Sequence, residues 1–168
     1  MKNFLNISDL SAQELKEIIE EAKSRKLKRK GFNKSEPDKD KPFSGMSMIM
    51  MFEKPSTRTR ISFDIAAKQL GGSTIILNQD GIHYGKGDES IKDTAKVLSQ
   101  YADMIMIRTA SHKNLDEFAK HSDIPVINGL SELSHPCQIM SDILTFEETK
   151  GNIKGKTIAW LGDGNNNM

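Results

Sequence analysis

SMIMMFEKPSTRTR, residues 47–60, decides the fold. Its first part, Ser47–Phe52, is a continuous apolar run without alternation, the pattern of a strand buried on both faces. Such strands belong to parallel sheets covered by helices on both sides. The helix follows at once: from Thr57 to Leu70 the apolar Ile61, Ile65, Ala66 and Leu70 fall on one stripe, and Gly71-Gly72 stops it.

Upstream, Ser8–Lys28 carries Leu10, Leu15, Ile18, Ile19 and Ala22 at helical spacing, with Ser11 as N-cap and Glu14 three residues on. The basic stretch Lys23–Lys41, interrupted by Gly31, Pro37 and several acids, reads as a helix end running into a solvated loop rather than a nucleic-acid or targeting element. Downstream the alternation repeats. Strand Ser73–Leu77, Gly-rich loop Gly81–Gly87, helix Ser90–Tyr101, strand Met104–Arg108, helix Lys113–His121, strand Pro125–Ile127 and helix Gln138–Thr149 follow in turn. This order predicts an α/β doubly wound parallel sheet flanked by helices. After the turn Gly151–Lys156, Thr157–Leu161 reads as the first strand of a second α/β domain, ending in Gly162-Asp163-Gly164. We place the boundary at 1–150 and 151–168. A buried strand followed at once by its turn lacks neighbours to cover its faces, so the chain reads as part of a longer protein.

Composition narrows the class. Lys plus Arg (24) nearly balances Asp plus Glu (23), so no global field draws the chain to nucleic acid or membrane. No apolar run is long enough to span a bilayer, and Met1–Asn6 has no signal-peptide core, which points to a soluble, cytoplasmic protein. Cys137 is the only cysteine, so no internal disulfide is expected, and no Cys/His cluster has zinc spacing; no metal is expected.

The chemistry concentrates in FEKPSTRTR, residues 52–60. Where a parallel strand gives way to a helix, the N–H groups of Ser56, Thr57, Arg58 and Thr59 and the helix dipole face the crevice outside the strand ends, where anions bind. The hydroxyls at 56, 57 and 59 add donors. Arg58 and Arg60 add charge in a form able to grip two phosphate oxygens. The competing reading is a capped helix whose arginines merely reach solvent. Arg108 closes the third strand, and His135-Pro136-Cys137-Gln138 follows the fourth, so both project from the same sheet edge; alone, HPCQ reads equally as a buried capping histidine. Gly162-Asp163-Gly164 lacks the third glycine of a dinucleotide fingerprint.

In this order and spacing, FEKPSTRTR followed by Ser62-Phe63, Arg108-Thr109, HPCQ and the GDGNN turn resemble the aspartate/ornithine carbamoyltransferase family over the whole chain. Lys54 and the turn Gly162–Asn166 are similar to the ornithine branch. The resemblance implies a carbamoyltransferase that joins carbamoyl phosphate to L-ornithine, giving L-citrulline and phosphate in arginine biosynthesis or the urea cycle. It implies Ser56, Thr57, Arg58 and Thr59 around the phosphate, and Arg108, His135, Pro136, Cys137 and Gln138 around the carbamoyl group, with Arg108 and His135 catalytic. It also implies no cofactor, because carbamoyl phosphate is already activated, and a homotrimer with shared sites. His83 and Lys86, in a loop that reaches a neighbouring subunit in the family, are candidates against the reading of a plain surface loop. The turn has one asparagine more than the common form, so Asn167 or Asn166 would bind ornithine. Cys137 is not taken as a nucleophile. Sister enzymes acting on putrescine or N-acetylornithine, and a non-catalytic anion-binding or oligomerisation module, remain alternatives.

Overall fold

The computed structural model describes residues 2–78 and 89–164. Among these, four strands form one all-parallel sheet: β1 Ser47–Phe52, β2 Ser73–Asn78, β3 Met104–Arg108 and β4 Val126–Leu130, in the order β2-β1-β3-β4. Five α-helices accompany them: α1 Ala12–Lys28, α2 Arg58–Gln69, α3 Ile91–Leu98, α4 His112–His121 and α5 Pro136–Lys150. The continuous apolar run of β1 now has its cause. The strand lies inside the sheet, and Met48 to Phe52 are all buried. β2 forms an edge and alternates in exposure accordingly.

Helices cover both faces. Ile49, Met51, Ile105 and Ile107 point to one side, packing with Ala95 of α3 and with Leu115 and Phe118 of α4. Met48, Met50, Phe52 and Met106 point to the other and pack with Ala67 of α2 and with Phe43. The chain leaves β1 for β2 on one side, then crosses to β3 and β4 on the other. The strand order therefore reverses between β1 and β3, and the crevice outside their carboxyl ends is where such sheets bind ligands. Phe52 pairs with Arg108 there.

Three details shape that edge. The β3–β4 register slips by one, with Ile107 opposite Asn128 and Arg108 opposite Leu130, so Gly129 is the extra residue of a bulge. A Cβ at Gly129 would sit 2.3 Å from Met106 Sδ and 3.3 Å from the Ile107 carbonyl oxygen, which explains the glycine. On the outer side of β4, Phe4 bridges to Ile127, donating to Val126 O at 2.8 Å and accepting from Asn128 N at 2.9 Å, while Asn3 Oδ1 accepts from Val126 N.

The structure departs from the sequence reading in two places. The stretch 23–41 is not simply a solvated loop: Arg25 and Arg29 both grip Asp38, which is only 8% exposed, and Arg25 also reaches Asp40 at 2.9 Å. These ion pairs fasten the connection between α1 and β1. Thr157–Leu161 does not form a strand; Ile158, Trp160 and Leu161 are exposed. A strand needs a neighbour for its backbone groups, and no described strand pairs with this one. The chain turns away after α5 at Gly151, whose φ is 78°. Among the described residues, no helix is long and apolar enough to cross a membrane.

Candidate active site

The helix starts mark the site. α1, α3 and α4 each begin with a serine, Ser11, Ser90 or Ser111, whose hydroxyl accepts from the backbone N–H three residues on. α2 and α5 begin at Thr57 and His135, and neither side chain caps its helix. Both of these helices open into the same cleft. A helix leaves its first N–H groups without intrahelical partners, so the α2 start supplies unspent donors; at α5 Pro136 has no N–H and Gln138 N donates to His135 O at 3.0 Å, so that helix adds chiefly its positive dipole. The first turn of α2 contains no acid, and Arg58 adds a full positive charge.

That cleft has a volume of about 380 Å³ and is lined by Ser56, Thr57, Arg58, Thr59, Arg108, His135, Cys137 and Gln138, together with Pro55, Ser62, Phe63 and Ser141. Eight of the expected ligands thus converge from β1–α2, β3 and β4–α5. Pro136 is fully buried at the first position of α5, where it starts the helix instead of lining the cleft. Arg60 lies apart from Arg58, in an adjoining hollow with Lys54 and Ile61. His83, Lys86, Asn166 and Asn167 lie outside the described residues.

Among the described residues, two buried nitrogens in the cleft, Arg108 Nε and His135 Nδ1, find no hydrogen-bond partner. Buried polar atoms are ordinarily satisfied, and an orphan costs about 1–3 kcal/mol. The Arg108 guanidinium donates to Thr59 Oγ1 at 3.4 Å. Burial, and then the like charge of Arg58, hold its guanidinium below the usual arginine value. An anion bound between Arg58 and Arg108 would relieve that repulsion. Gln138 donates its amide to Asp142 Oδ1 at 2.9 Å, which leaves its carbonyl oxygen as the end able to accept from an NH₂ group.

Burial, and then Arg108, also lower the pKa of His135, so the imidazole is neutral near pH 7. As pH falls below the ordinary histidine value of 6.5, the unfolded chain takes up a proton before the folded chain does. Native stability is therefore lost on acidification and levels off once the folded imidazole titrates. His135→Gln is expected to flatten that decline, checked by thermal denaturation of both proteins from roughly pH 7.5 to 4.5. Burial pushes the Cys137 thiol up to about 11, against the character of a nucleophile. Its Sγ instead donates weakly to Asn128 O at 3.6 Å. Alkylation of Cys137 by iodoacetamide at neutral pH is expected to run far slower than that of a free thiol, as a mass-spectrometric time course would read.

Sequence reasoning missed Glu53 and Thr109. Glu53 Oε2 accepts from Thr109 Oγ1 and, at 3.0 Å, from Ala110 N. Each lies within a recognised motif but had no role assigned to it, and only the register Phe52↔Arg108 shows that the two strand ends meet. Asn128 was missed for a similar reason: its side chain ties β4 to Leu5, Ser131 and Ser134, all contacts of the folded chain.

A family model described as "Aspartate/ornithine carbamoyltransferase, carbamoyl-P binding domain" matches residues 2–148. The ornithine carbamoyltransferase of Rhizobium meliloti is 53% identical over 165 residues, 98% of this chain and 52% of that protein. Among solved structures, ornithine carbamoyltransferase from Pyrococcus furiosus superposes with a TM-score of 0.91 at 43% identity, covering 98% of this chain and 51% of that one. The enzyme from Burkholderia thailandensis gives 0.89 at 38% identity, covering 99% of this chain and 55% of that one. The chain thus spans about half the length of the relatives it matches.

Proposed function

Because the chain belongs to the aspartate/ornithine carbamoyltransferase family, we propose that the whole protein transfers the carbamoyl group of carbamoyl phosphate to the δ-amine of L-ornithine, giving L-citrulline and phosphate. The observation that carries this reading is the convergence of the uncapped α2 start with Arg58, and of the orphaned Arg108 Nε and His135 Nδ1, on one cleft. Identity of about half to ornithine carbamoyltransferases over nearly the whole chain supports ornithine as the acceptor. Residues 1–150 are read as the carbamoyl-phosphate domain, and 151–168 as the start of an ornithine domain.

In this mechanism Ser56, Thr57, Arg58 and Thr59 hold the phosphate against the α2 dipole. Gln138 accepts from the carbamoyl NH₂. The neutral amine attacks the carbonyl carbon, a C–N bond forms, and the carbonyl oxygen becomes an oxyanion facing Arg108, His135 and Thr59. Donors fixed in place before the reaction stabilise that charge without reorganisation. A neutral His135 donates a hydrogen bond without releasing a proton. The C–O bond to phosphate then breaks, and the departing phosphate takes the proton from the amine. The remaining work is to hold two reactants together.

We further propose a homotrimer acting in arginine biosynthesis in the cytoplasm, with Asn167 or Asn166 on the ornithine side and His83 or Lys86 reaching a neighbouring subunit. The test is to assay the whole protein with carbamoyl phosphate against L-ornithine, putrescine, N-acetyl-L-ornithine and L-aspartate. Citrulline from L-ornithine as the dominant product is expected. A preference for another amine would replace the acceptor, and no transfer to any of them would overturn the enzyme reading.

A further inference from the structure

Arg108 is the last residue of β3, where regular strand pairing stops holding the backbone. Its peptide is nevertheless fixed from both sides. Its carbonyl accepts from Glu53 N at 2.9 Å, and the next residue, Thr109, donates its N–H to Leu130 O at 2.9 Å. The Glu53 side chain then turns across the strand end. One of its oxygens, Oε2, accepts both the Thr109 hydroxyl and Ala110 N, the latter at 3.0 Å. Thr109 is fully buried, and its Oγ1 also accepts from Ser111 N at 3.0 Å, so a single chain of bonds runs from Glu53 to the residue that caps α4. Glu53 begins the segment that continues into the Ser56–Thr59 cradle, and Arg108 supplies the opposite wall of the cleft. The carboxylate therefore ties one wall to the other.

We propose that Glu53 is a positioning residue, which sets the distance between the phosphate cradle and the Arg108 guanidinium and so gives the site its preference for an acyl phosphate over bare phosphate. This rests on reading Arg108 as the ligand of the carbamoyl oxygen. Inorganic phosphate needs only the cradle, whereas carbamoyl phosphate must reach both walls at once. The bond, rather than the charge, does the positioning, because both donors meet the same oxygen. Glu53→Gln can keep an oxygen in that place, and Glu53→Ala cannot.

The experiment is calorimetric titration of the protein and its variants with inorganic phosphate and with carbamoyl phosphate, reading the ratio of the two affinities. Glu53→Ala is expected to lower that ratio on the order of tenfold, the effect of one or two lost hydrogen bonds, by weakening carbamoyl phosphate alone. Thr109→Val, which removes the partner hydroxyl and keeps the volume, is expected to do the same, and the double variant to add little. Glu53→Gln is expected to keep the ratio to within about threefold. Should Glu53→Ala not fold, Thr109→Val against Thr109→Ser reads the same contact. An unchanged ratio in Glu53→Ala or Thr109→Val, or an equal weakening of both ligands, overturns the positioning role. A parent that shows no preference for carbamoyl phosphate overturns the underlying reading of Arg108 instead.

Discussion

Replacing Arg108 by methionine is expected to cost the whole protein on the order of a hundred- to a thousandfold in kcat/KM for carbamoyl phosphate, while leaving its melting temperature unchanged or raised. The two halves of this result have one cause. Arg108 is held partly buried beside Arg58, with its Nε unsatisfied among the described residues and a long bond to Thr59. The fold tolerates this arrangement without gaining from it, and removing the charge relieves the native state by up to about 1 kcal/mol. The ligand is what completes it. Arg108→Lys separates charge from shape, because an ammonium cannot present the guanidinium's planar fork, and it should recover only a small part of the loss. Steady-state kinetics and thermal denaturation of the three proteins check both halves. A methionine variant that lost stability in proportion to activity would mark Arg108 as a structural residue and remove the basis of the proposed mechanism.

The second large effect concerns the scaffold. Gly72 lies just before β2, and a Cβ there would come 2.1 Å from Phe43 Cδ1 and within 3 Å of two further ring atoms. Phe43 is itself buried, packed with Met48, Met50 and Phe52 under the face that α2 covers. A rigid ring has no flexible end with which to yield, so the strand or the ring must move. Gly72→Ala is expected to destabilise the fold by roughly 2–3 kcal/mol, a drop of roughly 5–10 °C in Tm for a chain of this size. Gly72→Ala combined with Phe43→Leu, which opens the space, should recover part of it. No change in Tm would mean that the β1–β2 entry is more plastic than its packing implies.

These two positions also show where the sequence was readable. Ser47–Phe52 declared itself because a central parallel strand leaves no polar position to blur the pattern, and the Arg58 region did so because a strand-to-helix junction carries its own chemistry. Gly71-Gly72 could be read as a helix stop, but its reason for being glycine depends on Phe43, far off in sequence and adjacent only once folded. Arg108 and His135 were recognisable as strand-end residues. Their unsatisfied nitrogens were not, since satisfaction is a property of neighbours. Thr157–Leu161 is not a strand among the described residues: an apolar run states a preference for burial and cannot state whether a partner strand is within reach. Arg25, Arg29 and Asp38 looked like ordinary surface charges for the converse reason: only the folded loop brings Asp38 under both guanidinia.

The short bridge between Phe4 and β4 has a practical side. An uncovered outer strand offers a row of free backbone groups on which another chain can add itself, a common start of aggregation. Here Asn3, Phe4 and Leu5 occupy Val126 and Asn128 along that border. Residues 3–5 therefore act as a seal. Substitutions that disturb them, such as Asn3→Ala with Phe4→Pro, are expected to yield sticky, poorly behaved protein even with every residue of the cleft intact.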